Sequence, residues 1–197
     1  MKDFVNSIIA LFIGGFLFFQ FSNFHDVNDL LQSFKSSVQT QNETKSKNYS
    51  GFERAIIKNI KDGDTIEVEF SGGRIETVRL LLVDTPESVK PNTPVQPFGK
   101  EASDYIRKTL IKGNVVEIEK GKEERDKYNR LLAYVWKDGE LINELLVRQG
   151  LARIAYVYEP NAKYLDKLRK AENEAKKERK GIWSIEGYVS ENGFNYP

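Results

Sequence analysis

The residues best equipped for chemistry in this chain are acids and guanidinium groups placed at the ends of apolar strands. Asp64 closes a tight turn, Lys61-Asp62-Gly63-Asp64, in which Gly63 is free to take positive φ, just before a strand-like run from Thr65. Asp84 and Glu87 end a second run, Val-Arg-Leu-Leu-Leu-Val-Asp-Thr-Pro-Glu over residues 78–87. Pro86 there stops both helix and central sheet. Arg79 is embedded in that apolar run, and Arg130 precedes another, Leu131 to Val135. A buried arginine is costly unless something anionic meets it; the acids on its own strand are near, and a phosphate is another candidate. If the second and third strands pair, their carboxylates converge. Oxygen ligands with no His or Cys beside them suit Ca²⁺ or Mg²⁺ rather than zinc or copper. Two arginines facing such an ion would hold a phosphodiester and stabilise the extra charge of five-coordinate phosphorus. Taken singly, the Asp-Gly-Asp triplet is a hairpin turn and each arginine a salt-bridge partner; the combination is what points to phosphoryl chemistry.

Composition narrows the field. Of 197 residues none is cysteine, which excludes thiol nucleophiles, zinc–thiolate sites and disulfides together. The single histidine, His25, lies ahead of the domain, so a carboxylate is the base available to it. The net charge is +1, so nucleic acid would be met by a local patch and not by a global field. Tyr128, Tyr156 and Tyr158 offer stacking faces that tolerate any base, or else ordinary packing.

The elements that must position these residues are legible from the pattern. Phe52–Ile60, Thr65–Phe70 and Ile75–Val83 read as a three-strand meander, the second alternating Ile66, Val68 and Phe70 with Thr65, Glu67 and Glu69. A proline-rich loop, Pro86 to Pro97, leads to a helix over Phe98–Ile111 closed by Gly113. A strand over Val115–Glu119, a polar turn over Gly121–Arg130 and a fifth strand over Leu131–Trp136 follow. A short helix, Leu141–Arg148, stops at Gly150, and a longer one, Asn161–Lys180, stops at Gly181. The predicted class is α+β: a five-stranded OB-fold β-barrel with three helices over residues 51–184, and a tail over 185–197 that carries no clear signal.

Ahead of the domain, residues 4–21 form an apolar run at the short end of what spans a bilayer. Two readings fit, an uncleaved anchor and a cleaved signal peptide; the weak basic start and the missing small-residue cleavage pattern favour the anchor. Lys2 before the span and Asp26 and Asp29 after it favour the amino end inside and the bulk of the chain outside, at the cell membrane. A polar linker over 22–50 joins this segment to the domain.

In order along the chain stand Asp-Gly-Asp-Thr (62–65), Arg-Leu-Leu-Leu-Val-Asp-Thr-Pro-Glu (79–87), Phe-Gly-x-Glu-Ala (98–102), Asp-Lys-Tyr-x-Arg (126–130), Leu-Val-x-x-Gly-Leu-Ala (146–152) and Ala-Tyr-Val-Tyr (155–158). With them the domain, from Phe52 to Ser184, resembles the staphylococcal nuclease (thermonuclease) family, and the leading segment resembles its anchored or exported Gram-positive members. The resemblance implies a Ca²⁺-dependent endonuclease that cuts DNA and RNA with little sequence preference and leaves 3′-phosphates, and a monomer is expected. It implies that Asp64, Asp84 and the Thr85 carbonyl hold the metal, and that Glu87 acts as base or orients water. It further implies that Arg79 and Arg130 bind the scissile phosphate, Lys127 and Tyr128 an adjacent one, and that Tyr156 and Tyr158 line a nucleotide pocket. Asn129 stands where that family has glycine, a residue that also tolerates positive φ. OB barrels that bind without cleaving are the alternative.

Overall fold

In the computed structural model residues 51–89 and 94–195 are described, with residue 32 besides. The apolar run 4–21 and, residue 32 apart, the linker 22–50 lie outside the described residues. The chain divides into the units Met1–Lys47 and Asn48–Pro197, and the second contains the whole barrel.

Five strands make the barrel: β1 (Glu53–Asp62), β2 (Thr65–Phe70), β3 (Ile75–Leu80), then β5 (Val115–Arg125) and β6 (Leu131–Lys137). Between them lie a two-residue strand, β4 (Val83–Asp84), and helix α1 (Gly99–Thr109). Neighbours run β3-β2-β1-β5-β6, and a parallel pairing of β3 with β6, Val78 opposite Leu131, closes the cylinder. Closure removes the edges that an open meander would leave unpaired. The alternation read in β2 holds, with Ile66 and Val68 wholly buried among Ile57, Val78, Leu80, Ile118 and Val135. After β7 (Glu140–Leu141) come α2 (Ile142–Arg148), β8 (Arg153–Ile154) and α3 (Leu165–Lys177). The last two helices pack together, and their C-terminal stops cross backbone to backbone. A Cβ at Gly150 would lie 2.3 Å from the Lys180 carbonyl, and one at Gly181 2.1 Å from the Gly150 carbonyl. Both glycines also have positive φ, 65° and 50°, so neither space nor conformation admits another residue there.

The structure departs from the sequence reading in three places. The third strand does not run on to Val83: it stops at Leu80, and the chain turns through Leu82 at φ 63° before β4 pairs with β8. Buried Asn143 holds this break, taking the Val135 N–H on its Oδ1 and donating through Nδ2 to the Leu81 carbonyl. An apolar run gives no sign of such a turn, because what compels it lies sixty-two residues downstream. Second, β5 extends to Arg125, through a stretch read as a turn. Its polar residues Gly121–Glu124 bulge out of register with β6, and the Asn161 side chain takes the missing partner's place, bonding both the N–H and the carbonyl of Glu123. Third, the tail holds a hairpin, β9 (Val189–Ser190) with β10 (Gly193–Phe194).

The far end of β5 is clamped by Arg125, whose two Nη groups donate to the two oxygens of Glu76 on β3 at 2.8 and 3.0 Å. These bonds, then those from Arg74, hold the Glu76 carboxyl below its ordinary value. A lowered folded pKa means the contribution is present above the unfolded value of 4.5 and lost as pH falls through the folded one. Glu76→Gln is therefore expected to cost about 1 kcal/mol or less at pH 7. Urea midpoints of the two proteins should converge as the pH drops below the carboxylate range.

Candidate active site

The β1–β2 turn sets the first acid. Asp62 pairs with Thr65, leaving Gly63 and Asp64 as the loop. Gly63 is not among the residues of positive φ, contrary to the sequence reading. It is glycine for lack of room: a Cβ would lie 2.8 Å from Thr85 Oγ1 and 2.9 Å from Ala102 Cβ. Asp64, 7% exposed, accepts from the Thr65 hydroxyl through Oδ1 and from the Thr85 N–H and hydroxyl through Oδ2. Thr85 thus lies against Asp64 and next in chain to Asp84.

Thr65 pairs with Arg79 across β2 and β3, which is why the buried cation meets this acid. Arg79 Nη1 donates to the carbonyls of Leu80 and Val83 at 2.8 Å, bridging the strand break. Its Nη2 lies 3.0 Å from Asp64 Oδ2 and 3.7 Å from Asp84 Oδ1, so both carboxylates turn toward one point. Asp84 is held from its other side by Arg153, whose Nε donates to Oδ2 at 2.9 Å. Burial pushes the Asp84 carboxyl up and the charge of Asp64 pushes the same way, against the lowering effect of Arg153 and Arg79.

Glu87 sits on a pinned segment. Its N–H donates to Gln96 Oε1, its carbonyl accepts from the Gln96 N–H, and its carboxylate Oε1 accepts from the N–H groups of Ser88 and Val89. The Ser88 hydroxyl donates to Asp62, which also accepts from Ser103 on α1. Sequence reasoning missed this Asp62–Ser88–Ser103 link, and no local pattern announces it.

Arg130 belongs to a second cluster. It donates through Nε to Asp126 at 2.7 Å, and Asp126 also accepts from the N–H groups of Tyr128 and Arg130. Arg130 and Lys127 both lie against the ring of Tyr128, itself 68% exposed. Asn129 takes φ 62°, as expected of it. Among the described residues no hydrogen bond or ion pair joins Arg130 to Asp64 or Asp84. The Val78–Leu131 pairing nonetheless sets it on the same β3–β6 seam as Arg79, and among the described residues its Nη groups make no hydrogen bond. Tyr156, at φ 54°, has Arg79 Cζ 5.5 Å from its ring centre, and both it and Tyr158 are exposed. A separate cleft of about 530 Å³, lined among others by Lys122, Tyr134 and Pro160, contains none of these residues.

The donor set fits a hard cation. Two carboxylates, Asp64 buried and Asp84 partly so, face one point with no sulfur or imidazole beside them, and burial disfavours the charge of Asp84. Among the described residues no group of three or more His, Asp or Glu could hold a metal, so backbone carbonyl and water would complete the shell.

Residues 77–185 match the family model described as staphylococcal nuclease homologue. Over 180 residues the chain is 45% identical to the endonuclease YncB of Bacillus subtilis, covering 88% of this chain and 84% of that protein. It is 53% identical over 135 residues to an SPbeta prophage-derived endonuclease, YokF, of the same species, covering 68% of this chain but 45% of that longer protein. A thermonuclease of Staphylococcus hyicus is 50% identical over 123 residues, 62% of this chain and 71% of its own.

A Cβ on Gly99 would lie 2.5 Å from the Glu87 carbonyl oxygen, backbone that cannot yield cheaply. Gly99→Ala is expected to destabilise the fold by about 1–3 kcal/mol in urea titration; no change would show that the Glu87 segment is loosely held. The closed barrel and the match running from β3 beyond α3 carry one conclusion: this chain belongs to the family of staphylococcal nuclease homologues.

Proposed function

We propose that the chain is a calcium-dependent endonuclease that hydrolyses phosphodiester bonds of DNA and RNA and leaves 3′-phosphate ends. The observation that carries this is the placement of Asp64 and Asp84 around the single Nη2 of Arg79. Asp64, Asp84 and the Thr85 carbonyl would hold the ion, which when bound supplies Lewis-acid polarisation and positive charge for the phosphoryl oxygens.

The protein's own groups do the rest. Arg79 has Nη1 committed to backbone carbonyls and Nη2 set against Asp64, so among the described residues its Nε is the nitrogen left for a phosphoryl oxygen. Arg130, steered by Asp126 through Nε, presents its Nη groups to the phosphate and to the leaving 5′-oxygen. Glu87 orients water and takes its proton. Lys127 and Tyr128 meet the adjacent phosphate, and the exposed rings of Tyr156 and Tyr158 stack on bases without reading them. The apolar run 4–21 would tether this monomer outside the cell membrane, with secretion after cleavage as the other reading.

Single-stranded DNA should be cut with calcium and spared with chelator; activity indifferent to chelator would remove the metal from the mechanism. Glu87→Ser and Arg79→Lys are each expected to lower kcat by orders of magnitude with the fold intact by circular dichroism. A loss under tenfold, about 1.4 kcal/mol, would exclude the residue from the chemistry.

A further inference from the structure

Arg153 is 8% exposed and does not act alone. It stands opposite Asp84 in the β4–β8 pair, a pairing only two residues long. Its Nε holds Asp84 Oδ2, and its Nη1 donates to the carbonyls of Ser190 and Glu191 at 3.4 and 3.1 Å. Both acceptors belong to the β9–β10 hairpin, and the guanidinium lies 5.8 Å from the Phe194 ring centre. Tyr188, buried at 3% exposure, packs on Phe194 and donates its hydroxyl to the Pro97 carbonyl. Pro97 follows Gln96, which grips Glu87. The hairpin thus touches the supports of both Asp84 and Glu87.

We propose that the C-terminal hairpin is a working part of the site: it seats Arg153, and Arg153 fixes which oxygen of Asp84 remains for a cation. Asp84 Oδ2 is taken by Arg153, so Oδ1, the atom facing Arg79, is the one presented. A strand pair of two residues is too short to fix a carboxylate rotamer; a guanidinium anchored at its other end can. Arg153 is a positioning residue, and its guanidinium geometry matters beyond its charge. The inference rests on the proposed role of Asp84 as metal acid.

The test compares the wild-type protein with a variant lacking residues 187–197, with Phe194→Ala, which disturbs the hairpin more gently, and with Arg153→Lys, which keeps charge and loses the fork. Calcium affinity by calorimetry should fall on the order of tenfold in each. The calcium needed for half-maximal cleavage should rise while kcat at saturating calcium changes little. The deletion combined with Arg153→Lys should be no worse than the worse single change. Without calcium, amide exchange should quicken across β4–β8 in Phe194→Ala and the deletion, and across residues 189–195 in Arg153→Lys. Unchanged affinity and exchange would overturn the proposal, as would independent, additive effects. A wild-type protein that binds no calcium would sink the proposed function instead, and the exchange measurements alone would then decide this inference.

Discussion

A guanidinium cannot shed its charge when buried, and Arg79 is 8% exposed. Everything within reach of it is arranged by that fact. Two backbone carbonyls take one nitrogen, and two carboxylates face another. Leaving such a charge unpaired would cost several kcal/mol, so the acids must be brought to it. They come from different parts of the chain: Asp64 through the hairpin register that sets Thr65 opposite Arg79, and Asp84 through a turn immediately after the strand. Arg153 meets Asp84 from its other side, so the two carboxylates stand between two guanidinium groups.

The turn is the price of bringing Asp84 back. A strand continued to Val83 would carry Asp84 away from Arg79 at about 3.3 Å per residue. Instead the chain breaks at Leu81 and Leu82, and Leu82 is held at positive φ, which a branched apolar residue adopts only under constraint. Asn143 at the start of α2 supplies it from a wholly buried position. The helical layer therefore does more than cover one side of the barrel: it holds the kink that makes the acid pair.

Burial falls off from this centre. Asp64 is buried and bonded to both Arg79 and Thr85, whereas Arg130, Lys127 and Tyr128 sit on a turn organised around Asp126, with Tyr128 largely exposed. A centre with fixed donors and a rim of exposed rings and cations suits a long, flexible, anionic chain whose bases vary. The hairpin at the carboxyl end adds a further brace, through Arg153 on one side and Tyr188 on the other.

Local pattern alone settled a good deal. The alternation of Thr65–Phe70 and the glycine stops at Gly150 and Gly181 imply a small barrel with helices after it. The order of the motifs around Arg79, Asp84 and Glu87 marked the family, and the lack of histidine in the domain confined acid–base chemistry to carboxylates, lysine, tyrosine and arginine. Such signals are legible because their cause lies within a few residues: a period, a cap, a forbidden dihedral. Tertiary structure decided the rest, since the cause there is a partner distant in sequence. Asn143 breaks a strand that reads as continuous, Asn161 props the bulge in a stretch that reads as a turn, and Gly63 answers to Thr85 and Ala102 rather than to its own φ. Arg153, unremarkable between Ala152 and Ile154, gains its place through Asp84, sixty-nine residues earlier, and a hairpin nearly forty residues on. No window of sequence contains both ends of such a contact; only the folded chain does.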